Sequence, residues 1–317
     1  MPLIRPARPR RFAAIAAFAV LVAAGCGSST GGAAAVVNGV SIEDSSVYAL
    51  GGLDAQADTV SGSEFRDALS LLIIQQALLE AADETYGLGD LSEPDALEAF
   101  MNDLEPSEAN AINDAIDAGV SQGRDPAATR SYVTTQQHIA TAVSEAIMAD
   151  PVFLSDVFTN SPELLMMVCA RHILVATAEE ADEVLTRLEA GEDFGAVAGE
   201  TSLDTQSLGG ALPCPASPFV FGQTLGPVLA SVAVGELTGP VESEFGYHII
   251  VVDSRDTPGT FIELTGDPDR WVPRGVIETE LTAWYNDALA RADIMVRSQI
   301  GTWNPQADAI SPPPGSP

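Results

Sequence analysis

The sequence predicts an α+β fold: an antiparallel four-stranded sheet with helices packed around it, inserted in a mainly α-helical chain. Two strings and the segment between them predict it. Ala170-Arg171-His172-Ile173-Leu174-Val175 and Phe245-Gly246-Tyr247-His248-Ile249-Ile250-Val251-Val252 each set one histidine at the head of a β-branched, apolar run, the pattern of a buried strand. The chain has only three histidines, so two in matching contexts form a pattern. If the strands pair, the imidazoles sit side by side on one face of a sheet. Between them lie a helical pattern, a Gly209-Gly210 turn and the string Gly235-Glu236-Leu237-Thr238-Gly239-Pro240-Val241.

The N-terminus reads as a targeting segment outside the fold. Arg5, Arg8, Arg10 and Arg11 precede an apolar, alanine-rich run from Phe12 to Ala24, too short for a comfortable membrane span. Ala33 to Ile42 reads as a strand, an Asn38-Gly39 turn and a short return. From there to about residue 158 the pattern is helical. Ser61 with Glu64 signals a capping box, and Phe65, Leu69, Leu72, Ile73 and Leu79 follow at helical spacing. Ser92 with Pro94 starts a second helix, and Asp125 with Pro126 a third. Tyr132, Ile139, Val143 and Ile147 follow at helical steps in that third helix, and His138 reads as a solvated residue on it.

In the central block, Ala181, Val184, Leu185 and Leu188 define one helix that Gly191 ends. Phe194, Val197 and Ala198 suggest a second, and Leu225 to Val232 a third ended by Gly235. After the turn at Asp256-Thr257-Pro258-Gly259, an amphipathic helix runs from Ile277 to Ala292. A strand at Ala292–Val296 and a turn at Gly301–Asn304 follow, and the proline-rich tail reads as disordered. The boundaries are a signal peptide at 1–25, a flexible tether at 26–34, an N-terminal helical region at 35–160, the central block at 163–256, a C-terminal helix and strand at 261–304 and a tail at 305–317.

Charge excludes one class of partner. The formal net charge is −31, every one of the 14 basic residues is arginine, and four of those lie in the signal segment. An excess of this size opposes nucleic-acid binding, which needs basic patches. It suits a soluble extracytoplasmic protein. No tight ligand spacing such as HxxxH or CxxC points to a metal, no serine sits in a nucleophile elbow, and no cofactor is expected.

The order of parts in the central block resembles the parvulin family of peptidyl-prolyl isomerases. With the Val37-Asn38-Gly39 strand, the helical region and the returning C-terminal helix and strand, nearly all of the mature chain resembles SurA-like and PrsA-like foldases. In those proteins the two terminal segments pack together as a chaperone module. Ala23-Ala24-Gly25-Cys26 resembles a bacterial lipobox, which implies lipidation of Cys26 and an anchor on the extracytoplasmic side of the cell membrane. Ala23 departs from the usual large aliphatic residue, and the alternative is an ordinary secretory signal.

The resemblance assigns the site. His172 and His248 match the paired catalytic histidines, and Asp204 matches a position near the reacting peptide. Leu212, Phe221 and Leu225 match the residues that hold the proline ring, and Ser243 a hydroxyl that supports the second histidine. It also makes the segments of Cys169 and Cys214 neighbouring strands, which implies a disulfide; two free buried thiols are the alternative. Gly209-Gly210-Ala211-Leu212-Pro213 departs from the usual Gly-Gly-Asp-Leu-Gly. Ala176-Thr177-Ala178-Glu179-Glu180 stands where phosphate-directed members carry basic residues. The implied function is peptidyl-prolyl isomerisation that assists folding of exported polypeptides. The alternative is a non-enzymatic holdase whose central block is catalytically weak.

Overall fold

The computed structural model describes residues 32–55 and 62–314. The signal segment, Cys26, most of the tether, Ser61 and the last three residues lie outside the described residues. In chain order the first elements are β1 (Ala33–Val37) and β2 (Val40–Glu43), joined by Asn38 and Gly39 at φ 45° and 93°. Two successive left-handed residues are what a tight antiparallel hairpin needs. Then come α1 (Asp44–Gly51), α2 (Gly62–Tyr86), α3 (Pro94–Asp103), α4 (Pro106–Ser121), α5 (Pro126–Ala149) and α6 (Pro151–Asn160). Four of these begin with proline, whose missing N–H costs nothing in the first turn. Asp125 and Asp150 cap α5 and α6, accepting from Ala128 N and Val152 N at 2.8 and 2.9 Å. Ser92 does not cap α3; its hydroxyl bonds Asp90, and Glu93 takes the cap position.

The chain continues through β3 (Met167–Val175), α7 (Ala178–Glu189), α8 (Phe194–Thr201), α9 (Gly222–Ser231), β4 (Leu237–Ser243) and β5 (Gly246–Asp256). Last come α10 (Phe261–Gly266), α11 (Pro268–Trp271), α12 (Arg274–Arg291), β6 (Ile294–Val296), β7 (Thr302–Asn304) and β8 (Ala309–Ser311). No helix among the described residues is long and apolar enough to cross a membrane.

The chain divides into two compact units. One takes residues up to Val143 and from Leu281 onward, the other Ser144–Glu280. In the first, β6 joins the N-terminal hairpin in a sheet of order β2-β1-β6. Val37, Leu69, Ile73 and Leu289 are among its buried core residues. Arg297 grips both carboxylate oxygens of Asp44, at 3.0 and 2.8 Å. Three expectations change here. Residues 302–304 are a strand and not a turn, and the tail does not fall into disorder at 305, because β8 pairs with β7. One apolar residue explains it: Ile310 is buried in the core, and its N–H donates to Ser70 Oγ. His138 is also not simply solvated. It is half-buried, stacks on Phe100 at 4.6 Å and bonds the Leu91 carbonyl at 3.0 Å.

In the second unit the sheet order is β3-β5-β4, all antiparallel. Ile173, Val175, Ile249 and Val251 pack on one face with α7 and α8 residues. Val168, Ala170, Ile250 and Val252 pack on the other with Leu229 of α9. The expected fourth strand is present only as bridges. Residues 211–216 lie along β3, with Arg171 opposite Ala211 and Val168 opposite Ala216. Leu212 N donates to Ala170 O at 3.0 Å, and Val168 and Ala216 exchange bonds at 2.8 and 3.0 Å. Pro213 and Pro215 have no N–H to give, so a continuous ladder cannot form. The turn before it needs its glycine: Gly210 has φ 78°, and a Cβ there would collide with the His172 carbonyl oxygen.

Candidate functional site

Strand register brings the two histidines together. His172 of β3 stands opposite Ile250 of β5, and His248 stands opposite Leu174. They are therefore diagonal neighbours on one sheet face, within reach of side chains this size. The rings stack with centroids 5.4 Å apart, and both residues are buried, at 5 % and 3 % exposure.

All four ring nitrogens have partners, and the partners form a row. His172 Nε2 lies 2.8 Å from Asp204 Oδ2, His172 Nδ1 lies 3.1 Å from His248 Nδ1, and His248 Nε2 lies 2.7 Å from Ser243 Oγ. A carboxylate only accepts, so His172 Nε2 carries a hydrogen. In the tautomer that places the His248 hydrogen on Nδ1, that hydrogen is donated to His172 Nδ1. His248 Nε2 then accepts from the Ser243 hydroxyl, and Ser243 Oγ accepts from Phe245 N at 3.1 Å. Every donor meets an acceptor, as buried polar groups require.

The electrostatics follow from this row. Burial first, then the neighbouring His172, lowers the His248 pKa from 6.5 to about 4. A buried neutral imidazole results at neutral pH. Bonds from Ser207 and then His172 lower Asp204 from 3.8 to about 2, which keeps it a carboxylate. Its side chain is 25 % exposed, so the row has one anionic end near solvent.

Two supporting hydroxyls were not read from the sequence. Ser207 Oγ donates to Asp204 Oδ2 at 2.6 Å, and Gln206 N donates to Oδ1 at 3.1 Å. Ser202 Oγ accepts from Leu174 N and from Asp204 N at 3.2 and 3.3 Å. The spacing Ser202-x-Asp204-x-x-Ser207 was the available signal, since aspartate and serine side chains often bond the backbone two residues on.

Leu212, Phe221 and Leu225 are half-buried and pack against Val168, Ala170, Leu229, Ile250 and Val252. Side chains alternate along a strand. Ala170 and Ile250 therefore share the face of His172 and His248, and the apolar group lies on the same side of the sheet as the polar row. Leu212 is held by its bond to Ala170 O. Phe221 ends a 3₁₀ turn, Pro218–Phe221, and Leu225 lies four residues later in α9. The same edge carries a disulfide, Cys169–Cys214, with Cα atoms 4.7 Å apart.

A sheet with helices on both faces, a buried histidine pair and an adjacent half-open apolar group define a class. Residues 172–254 match the family model of the PPIC-type PPIASE domain, a rotamase. The chain thus carries a parvulin-type peptidyl-prolyl cis-trans isomerase domain and is a peptidyl-prolyl isomerase. Beyond that domain its likeness is to PrsA foldases. It is 27 % identical over 257 residues to the foldase protein PrsA of Halalkalibacterium halodurans, covering 77 % of this chain and 73 % of that one. Against PrsA of Clostridium botulinum (strain Okra / Type B1) identity rises to 40 % over 101 residues, but only 31 % of this chain and 29 % of that one are covered. Among solved structures, PrsA from Bacillus cereus aligns with a TM-score of 0.43 and 22 % identity, over 74 % of this chain and 85 % of that one.

Proposed function

We propose that the chain is an exported, lipid-anchored foldase that speeds cis-trans exchange at X-Pro bonds of other exported polypeptides, with His172, His248 and Asp204 as its reacting centre. The observation that supports this best is the hydrogen-bonded row from Asp204 to Ser243 beside the apolar group of Leu212, Phe221 and Leu225. An X-Pro bond exchanges on the order of 10–100 s at 25 °C. The barrier is the loss of amide resonance on twisting, so no bond need break and no nucleophile is required. The half-buried apolar side chains hold the proline ring by excluding water from it. A twisting amide draws less negative charge onto its carbonyl oxygen. A fixed carboxylate near that oxygen therefore opposes the planar, charge-separated form more than the twisted one, and this difference lowers the barrier. The histidine row and Ser207 hold Asp204 in place and ionised.

Cys26 is the proposed anchor, on the motif at its N-terminal side. Mass spectrometry of natively expressed protein is expected to find a lipid on Cys26 at the new N-terminus; an unmodified Cys26, or cleavage elsewhere, contradicts it. The isomerase reading is tested by a prolyl-peptide exchange assay on the mature chain. A second reading, a holdase that binds without catalysis, draws on two observations. Ala211 and Pro213 depart from the family string, and Leu208, Phe245 and Val220 are large apolar side chains 86 %, 70 % and 65 % exposed on the same unit. An aggregation-suppression assay beside the exchange assay separates the two.

A further inference from the structure

We infer that Arg255 is a positioning residue for the proline-holding group, acting through α9. This rests on the reading that Leu225 and Phe221 hold the proline ring. α9 is a poor helix by composition: of its ten residues, two are glycine and Pro227 sits in its interior. Interior proline deletes a backbone bond, and glycine is a weaker helix former than alanine. Helices this short have little stability of their own, so tertiary contacts must fix α9. Leu229 supplies one by its complete burial. Leu225 and Val228 pack in the same cluster, and Arg255 adds a polar anchor. Its Nη2 donates to Leu229 O, a carbonyl of the last turn, at 2.8 Å and to Val232 O, on the residue that caps the helix, at 2.6 Å. No basic residue of α9 lies in its own last turn, so the cation that suits the negative end of the helix comes from β5.

A bulge aims this side chain. Ala170 pairs with Val252 and Cys169 with Ser254, so Asp253 is an extra residue in β5. The extra residue switches the alternation. Arg255 falls opposite Val168, on the face that α9 covers, and Asp253 is left to bind Arg171 on the far side at 2.6 and 2.9 Å. Arg255 touches neither histidine. Its effect reaches the site through the helix that carries Leu225 and follows Phe221 directly.

The test measures binding of a fluorescent Ala-Pro-Phe peptide to the mature chain by anisotropy, for wild type, Arg255→Met, Arg255→Lys, Leu225→Ala and the two double variants. Arg255→Met is expected to raise Kd about tenfold, and Arg255→Lys about threefold, because an ammonium keeps the charge and can donate twice but sits one bond nearer the backbone than Nη2, which makes both bonds. With Leu225→Ala already present, either change should add less than twofold, since both act on one contact. Wild-type Kd in either Arg255 variant, or full additivity with Leu225→Ala, overturns the inference, as does a wild type that binds no proline peptide. If Arg255→Met fails to fold, the Arg255→Lys pair decides by the same criteria. Failure of the isomerase reading would appear separately, as a wild type that binds the peptide without speeding its exchange.

Discussion

Removing the Cys169–Cys214 bond will cost the second unit about 2–4 kcal/mol, the usual range for a native disulfide, and will loosen the wall that carries Leu212. The bond closes a sequence separation of 45, so its loss restores considerable freedom to the unfolded chain. The position adds to the effect. Residues 211–216 are tied to β3 by few backbone bonds, because Pro213 and Pro215 cannot donate. With Cys169→Ser and Cys214→Ser in the mature chain, hydrogen exchange should accelerate throughout β3 and most of all at Leu212 and Ala216. Unchanged protection at these two amides would contradict the account. So would full alkylation of both thiols in protein that has not been reduced.

Acid will weaken the same unit over a defined window. The folded His248 pKa, about 4, lies below its ordinary 6.5, so the unfolded chain takes up this proton first as pH falls. Stability from the buried neutral ring is fully present above pH 6.5 and is lost between there and about pH 4. At about 1.4 kcal/mol per pH unit, the loss approaches about 3 kcal/mol. Asp204 acts with the same sign at lower pH: its support is present above 3.8 and is lost toward 2. The measurement is exchange protection of β5 amides at pH 7 and pH 4.5, corrected for intrinsic rates. Protection should fall at the lower pH in wild type and much less in His248→Gln. Equal protection at both pH values in wild type would count against a buried neutral His248.

The histidine pair was legible because two β-branched runs announce strands, and register then follows from antiparallel pairing of those runs. The capping of α5 and the hairpin at Asn38-Gly39 were legible for the same local reason. Features that depend on distant partners were not. Ser207 looks like any loop serine until Asp204 is placed beside it. The strand at Ala309–Ser311 depends on Ile310 finding the core and on Ser70, 240 residues away in sequence. The fourth strand runs along β3 but pairs only through bridges, because prolines set how far a ladder can extend. His138 reads as solvated in sequence because its neighbours Gln136, Gln137 and Thr141 are polar, while its own partners, Phe100 and Leu91, come from other segments. Arg255 carried no sequence signal at all, since its direction depends on a single-residue bulge.

The row from Asp204 to Ser243, with the apolar group beside it, is proposed to accelerate prolyl exchange. The most direct measurement is the rate of cis-trans exchange of an X-Pro peptide with the mature, disulfide-intact chain, against the uncatalysed rate and against His172→Ala at equal concentration. Acceleration should rise in proportion to wild-type concentration and be largely lost in His172→Ala. Exchange at the uncatalysed rate in the presence of folded wild-type protein would contradict it.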